Sequence, residues 1–298
     1  MADQPISRWA GIALLLVIAA VFGGNHIAAR VAFDHGTNVT TAVAFRSAGT
    51  ALAVLALLLL SKTPLKIGQK TFGQSVLIGL LIAVQSYCLY SAVALIPVAL
   101  ALLAFQTFPM LLALVSWVGG GERPSRRVLI AMPVALVGLA LALDVYGKSG
   151  DIAGRWAEVG AGVLWALGAS VSFAMALFLI TRWLGSMDGR LRSFLFMSVV
   201  ALVTLAGGTL AGGFALPADG TGWIALGLLT VFYGTAITSM FVLLPRLGAV
   251  NNAAVLNFEP IAVLGLAWLI LGQAVAPLQI AGAFIVVGAI AWMGAGKR

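Results

Sequence analysis

The sequence is short of charge. Of its 298 residues only 9% are Asp, Glu, Lys or Arg, while 62% are hydrophobic; a soluble globular chain carries about 25% charged residues. So few charges cannot coat a water-facing surface, which excludes a soluble globular protein and leaves an integral membrane protein. Cysteine is rarer still. The single Cys88 lies within an apolar run, which excludes a disulfide framework and a thiolate metal site. The two histidines, His26 and His35, are too few for a histidine-rich metal site, and no P-loop, dinucleotide fingerprint or Gly-x-Ser-x-Gly elbow occurs. No catalytic cluster and no cofactor are therefore expected. Without ATP-binding machinery, any energy has to come from a substrate or ion gradient.

What the chain does have is apolar runs. At roughly 20 residues per span, its apolar content suffices for about nine or ten transmembrane helices. Ten candidate runs lie at 8–29, 40–60, 73–95, 98–118, 127–145, 158–181, 192–211, 222–244, 249–271 and 277–295. The first extends well beyond a signal peptide's apolar region and reads as the first span. Tight turns are expected at Ile96-Pro97 and at Pro245-Arg246-Leu247-Gly248, because proline disfavours helix in the residue before it. Cations then set the orientation. With the N-terminus cytoplasmic, thirteen of the 17 Lys and Arg fall inside and only Arg30, Lys148 and Arg155 fall outside, with Arg46 inside the second span. The net charge of +8 thus reflects orientation, and no nucleic-acid partner is needed. Trp9, Trp156, Trp183, Trp223 and Trp292 fall near span ends, where an amphipathic indole favours the interface.

The chain also repeats itself. Pro109, Trp117 and Gly121 recur as Pro260, Trp268 and Gly272, each displaced by 151, and the same offset carries Gly11 onto Gly162 and Phe22 onto Phe173. This divides the chain into residues 1–147 and 148–298, five spans each. An odd number of spans inverts the second half, an arrangement suited to alternating access with a site near the bilayer midplane. The expected fold class is all-α integral membrane, ten transmembrane helices as two inverted five-helix repeats.

Phe22-Gly23-Gly24-Asn25-His26-Ile27-Ala28-Ala29-Arg30 resembles the W-G-x-N-x-x-x-x-(K/R) ending of the first span in the drug/metabolite transporter superfamily, with Phe in place of Trp. Ala44-Phe45-Arg46 resembles that superfamily's aromatic-Arg element, and Asn257-Phe258-Glu259-Pro260 its E-P element. Over essentially its whole length the chain resembles the EamA-type members, and among them most closely the YddG-type bacterial exporters of aromatic and neutral amino acids. The resemblance implies a secondary transporter in the bacterial inner membrane, both termini cytoplasmic, moving amino acids or similar small metabolites across the lipid bilayer. Efflux of hydrophobic drugs, purines or other metabolites is the alternative, and an intramembrane enzyme or passive channel the more distant one. The oligomeric state stays open, a monomer included.

Polar groups at membrane depth mark the candidate site, since they usually face the bundle interior or a water-filled cavity. Glu259 is read either as a carboxylate binding a proton or an ammonium group, or as a structural acid paired with Arg46, His26 or a helix end. Arg46 is read as a ligand for a substrate carboxylate or as a side chain snorkelling to the outer surface. Asn25 and His26 follow two glycines that let a neighbouring helix approach. Gln85, Tyr87 and Tyr90 crowd the third span, where Tyr87 and Tyr90, three apart, can share a face. Gln106 and Asn257 correspond under the 151 offset, each three residues before a hinge proline, Pro109 or Pro260. Trp165, Phe173, Phe22, Tyr87, Tyr90 and Tyr233 are expected to line one aromatic pocket for an apolar side chain.

Overall fold

The computed structural model describes residues 8–120, 126–142, 152–210, 213–247, 258–273 and 276–294, and among them every regular element is an α-helix. In chain order they are α1 (Arg8–Asp34), α2 (Val39–Leu60), α3 (Gln69–Leu95), α4 (Val98–Phe105), α5 (Phe108–Val118), α6 (Arg126–Ala142), α7 (Ile152–Trp183), α8 (Gly189–Leu210), α9 (Gly220–Leu247), α10 (Glu259–Leu271) and α11 (Pro277–Gly294).

Local chemistry explains where these helices start and stop. The Asn38 side chain accepts from the Thr41 amide at 2.9 Å and caps α2. Ile96 is extended, φ −129° and ψ 165°, as the residue before Pro97 must be to end α3. Gly272, at φ +62°, closes α10 in the left-handed conformation that glycine adopts at least cost. Seven stretches are long and apolar enough to cross a bilayer, the one over Val98–Val118 including both α4 and α5. The fifth, ninth and tenth runs carry the shorter apolar helices Leu129–Ala142, Glu259–Leu271 and Pro277–Ala289, each adjoining residues outside those described. Large apolar side chains such as Leu52, Leu60, Leu202 and Trp268 stand exposed on the outside of the bundle, where lipid and not water is their natural solvent. This is a multi-pass membrane protein.

The fourth run, expected as one span with a hinge at Pro109, is broken at Gln106-Thr107. Pro109 has no amide to donate to the Phe105 carbonyl four residues back. That carbonyl instead accepts from the Ser170 hydroxyl at 2.8 Å, and the Thr107 hydroxyl satisfies the Ala104 carbonyl at 2.9 Å. A helix can break at membrane depth only when such partners replace the lost bonds. α10 starts in the same way, one residue before Pro260 as α5 starts one residue before Pro109.

The packing follows the 151-residue offset. The most extensive helix contacts are α3 with α7, α1 with α9, α6 with α11 and α2 with α8. Counted by apolar runs, exchanging the two halves turns the first–eighth contact into the sixth–third and returns the second–seventh and fifth–tenth contacts to themselves. Two close approaches agree to within one residue: a Cβ on Gly79 would stand 2.7 Å from Val199 Cβ, and one on Gly49 would stand 2.5 Å from Thr230 Cγ2. At one end of the bundle the turn after α1 meets the segment before α9, through Asn38 to the Gly213 carbonyl and the Ala218 amide to the His35 carbonyl. At the other end the turn after α2 meets the start of α8, through Arg190 to Ser61 at 3.2 Å.

Candidate functional site

The polar groups of the first half converge. Gly23 lets α10 lie against α1, since a Cβ there would stand 2.8 Å from Val263 Cγ2. This approach sets Glu259 beside His26, with Oε1 3.5 Å from Nε2. The Tyr90 ring, 5.8 Å from that of His26, leads to Arg46, which is 3% exposed. Its guanidinium donates to Ser86 Oγ at 2.7 Å and Tyr90 Oη at 3.3 Å, and lies 4.7 Å and 4.0 Å from the ring centroids of Tyr90 and Tyr233. Tyr90 Oη in turn donates to Asn25 Oδ1 at 2.7 Å. Arg46 therefore does not snorkel to the surface. α3 and α9 cover it, supplying hydroxyl acceptors and two aromatic faces for a planar cation.

This cluster is unbalanced in two ways. No carboxylate among the described residues lies within ion-pair distance of Arg46, although a buried charge is costly until paired. Arg46 Nε, Asn25 Nδ2, His26 Nδ1 and Thr50 Oγ1 are also buried without a hydrogen-bond partner. Of these, Arg46 Nε and Asn25 Nδ2 are donors, and an unmet buried donor costs about 1–3 kcal/mol. Thr50, one turn on from Arg46 along α2, is buried with its Oγ1 unpartnered, and the sequence reading passed over it because a lone threonine in an apolar run carries no signal of its own. Ser170 was missed for the same reason.

The two halves differ chemically at equivalent places. The counterparts of Asn25, His26, Arg46, Ser86 and Tyr90 at +151 are Ala176, Leu177, Met197, Ile237 and Phe241, all apolar. Glu259 opens α10 where Phe108 opens α5. Phe108 packs on Phe105 and Phe173 with centroid separations of 5.3 and 4.9 Å, while Phe22, the counterpart of Phe173, meets Tyr233 at 6.1 Å. The start of α5 is aromatic and the start of α10 is charged.

The single aromatic pocket expected from the sequence does not form. Tyr90 is fully buried beside Arg46, whereas Tyr87 is 41% exposed and meets Trp165 at 6.2 Å. The two tyrosines, three residues apart, do not share a face, because α3 packs on one flank against α7 and α8 and on the other against α1 and α2. Tyr87, Trp165, Thr40 and Thr204 line a separate cavity of about 490 Å³ between α3, α7 and α8. Gln85 is half-buried and accepts from the Ser86 hydroxyl at 3.3 Å. Gln106 is buried at the α4–α5 break, and its expected partner Asn257 lies outside the described residues.

Where the turn after α1 meets the segment before α9, His35 Nδ1 stands 2.7 Å from Asp219 Oδ2, and Asp219 Oδ1 accepts from the Gly222 amide at 2.8 Å. The Gly222 amide first, and His35 second, hold the Asp219 carboxyl below its usual value of 3.8. A depressed acid stabilises the fold above its usual pKa and loses that contribution as pH falls through the lowered value. The tie between the two turns should therefore be intact at pH 5 and above and released below about pH 3.8. The protection of the Gly222 amide, its exchange rate taken relative to the intrinsic rate at each pH, should fall on that acid limb, and Asp219→Asn should flatten it.

Comparison with known proteins agrees with the architecture. A solved crystal structure is similar with a TM-score of 0.60 and 20% identity, covering 95% of this chain and 96% of that chain, a likeness of fold. No curated protein matches the chain significantly. The EamA-like transporter family matches twice, over residues 9–143 and 160–295, each half separately. The chain belongs to the EamA-like transporter family and is a membrane transporter of small solutes.

Proposed function

We propose that this protein is a secondary transporter of the YddG type, with ten spans in two inverted five-span repeats, exporting neutral amino acids with aromatic or bulky apolar side chains by alternating access. It sits in a bacterial inner membrane with both termini cytoplasmic. The observation that carries the substrate class is the buried Arg46 with its unpartnered Nε, which Tyr90 links both to Asn25 and to the His26 ring that meets Glu259. A cation with unmet donors takes a carboxylate, and the acid that opens α10 takes an ammonium group. An α-amino acid carries both charges on one carbon. The Phe105, Phe108 and Phe173 cluster at the counterpart break supplies apolar surface for its side chain.

A second reading, efflux of hydrophobic compounds, draws on the cavity of about 490 Å³ beside Tyr87 and Trp165. Counterflow in proteoliposomes separates the two. Saturable exchange of labelled phenylalanine, tryptophan or leucine is expected, with little competition from phenethylamine or 3-phenylpropionate, each of which lacks one charge. Equal competition by both analogues would favour the hydrophobic-efflux reading. Absence of exchange for every amino acid in the panel would remove the amino-acid reading altogether.

A further inference from the structure

We propose that the seam between α3 and α8 is a binding site for an anionic phospholipid, with an acyl chain along the two helices and the headgroup at the end where Arg192 stands. The site is separate from the Arg46 cluster and independent of the substrate. α3 and α8 cross closely at Gly79, where a Cβ would stand 2.7 Å from Val199 Cβ. Along the seam runs a groove of about 290 Å³, lined by Phe72, Val76 and Leu80 of α3 and by Leu195, Val199 and Leu202 of α8. Phe72, Leu80 and Leu202 are exposed, so the groove opens sideways from the bundle, where lipid is the neighbour. Leu80 and Val203 line both this groove and the cavity of about 490 Å³ beside Tyr87 and Trp165. The first therefore runs on into the second.

The lining selects hydrocarbon. No residue of the groove is ionisable, and the hydroxyls of Ser75 in the groove and Thr204 in the cavity are taken by their own helices, donating to the Thr71 carbonyl at 2.8 Å and the Val200 carbonyl at 2.7 Å. A polar solute would give up water there and gain few partners. An acyl chain gives up nothing. The length fits as well: from Phe72 to Leu80 a helix rises about 12 Å, against about 15 Å for the hydrocarbon of one leaflet. A chain filling the groove brings its tip to the larger cavity.

Charge decides the headgroup and the direction. Arg192 stands three residues before Leu195 and seven before Val199, at the head of the α8 stripe that lines the groove. Its guanidinium reaches only a neutral acceptor, the Leu184 carbonyl at 3.4 Å. No carboxylate among the described residues pairs with it, since Asp188 is taken by Arg190 at 2.8 Å. The turn after α2, tied to the start of α8 through Arg190 and Ser61, adds Lys62 and Lys66, and the start of α3 adds Lys70, all exposed. Five cations thus face one carboxylate over residues 61–72 and 184–195. At its far end the larger cavity is lined by Thr40, Gly207, Gly208 and Gly213, none of them charged. An anionic headgroup is held at the Arg192 end, which is cytoplasmic in the orientation proposed above, and a zwitterionic one gains less there.

The test uses the full chain in dodecylmaltoside, with dioleoylphosphatidylglycerol and dioleoylphosphatidylcholine as probes. Native mass spectrometry should retain one phosphatidylglycerol per chain at a concentration about fivefold below that needed for phosphatidylcholine, the factor one cation gives near an anionic surface. Arg192→Gln should erase the preference, and Val203→Trp, which fills the groove, should weaken both lipids; melting temperatures check that each variant folds. In liposomes, wild-type chain should be labelled by phosphatidylglycerol carrying a diazirine in mid-chain at residues 72–80 and 195–203. Equal retention of the two lipids by the wild type would overturn the anionic headgroup, and a preference kept by folded Arg192→Gln would overturn its placement. Labels as dense on the exposed faces of α2, α9 and α11 as on α3 and α8 would overturn the groove itself. None of these results bears on amino-acid counterflow, so the transport reading stands or falls separately.

Discussion

Replacing Arg46 with methionine is expected to lower phenylalanine exchange by about a hundredfold while leaving the melting temperature unchanged or raised. Methionine is what the chain itself places at the equivalent position of the second half, Met197, so it suits that depth in the bundle. A charge-assisted hydrogen bond contributes about 1.5–3 kcal/mol, and each 1.4 kcal/mol is tenfold in affinity. Loss of the Arg46–carboxylate contact therefore costs between about ten- and 150-fold. Stability should not follow, because the guanidinium has no carboxylate partner among the described residues and its burial is a cost. Tyr90 keeps its bond to Asn25 Oδ1 without Arg46. Lysine should recover part of the exchange, since it restores the charge but not the fork that reaches Ser86 and Tyr90 together. The opposite outcome, a melting temperature that falls while exchange per folded molecule is kept, would make Arg46 a structural residue.

Substituting leucine for Gly282 is expected to cost about 3 kcal/mol or more and to leave little folded protein. Here α6 and α11 cross at backbone distance. A Cβ on Gly282 would run into the Ala142 amide nitrogen and stand 2.5 Å from the Gly138 carbonyl oxygen, and one on Gly138 would stand 2.7 Å from Ile285 Cγ2. Backbone cannot rotate aside as a side chain can, so even Gly282→Ala should lower the melting temperature. Small residues allow such crossings in membranes, where apolar burial no longer drives association and close packing must. Gly288 lies on the same helix with nothing within 4 Å of its hypothetical Cβ, and Gly288→Ala should change stability by less than about 0.5 kcal/mol. Cys88, the only cysteine and buried, reports the transition: a thiol-reactive dye gains access to it as the bundle opens.

The parts of this molecule legible in the sequence are those set by short-range chemistry. Ile96-Pro97 ends α3 because a residue before proline avoids helix, and the structure turns there. Pro109 marked the distorted stretch of the fourth run, although the clean break at Gln106-Thr107 depends on the Ser170 hydroxyl of α7, 61 residues further on. The 151-residue offset, drawn from a few prolines, tryptophans and glycines, reappears in which helices touch. Tyr87 and Tyr90 show where such reading ends. Helical spacing puts them within 60° of one another, yet that angle is the boundary between the α3 face turned to Arg46 and the face turned to Trp165.

By itself the sequence determined that the chain lives in a membrane, how many apolar runs it has, where they are interrupted and that its halves are related. These follow from composition and from contacts between near neighbours, which any window of residues contains. Only the tertiary structure decided that Arg46 is enclosed by Ser86, Tyr90 and Tyr233 and that Glu259 meets His26. Those contacts join side chains from five helices. A charge is buried or exposed according to what the other helices place against it, and no single run of sequence contains that information.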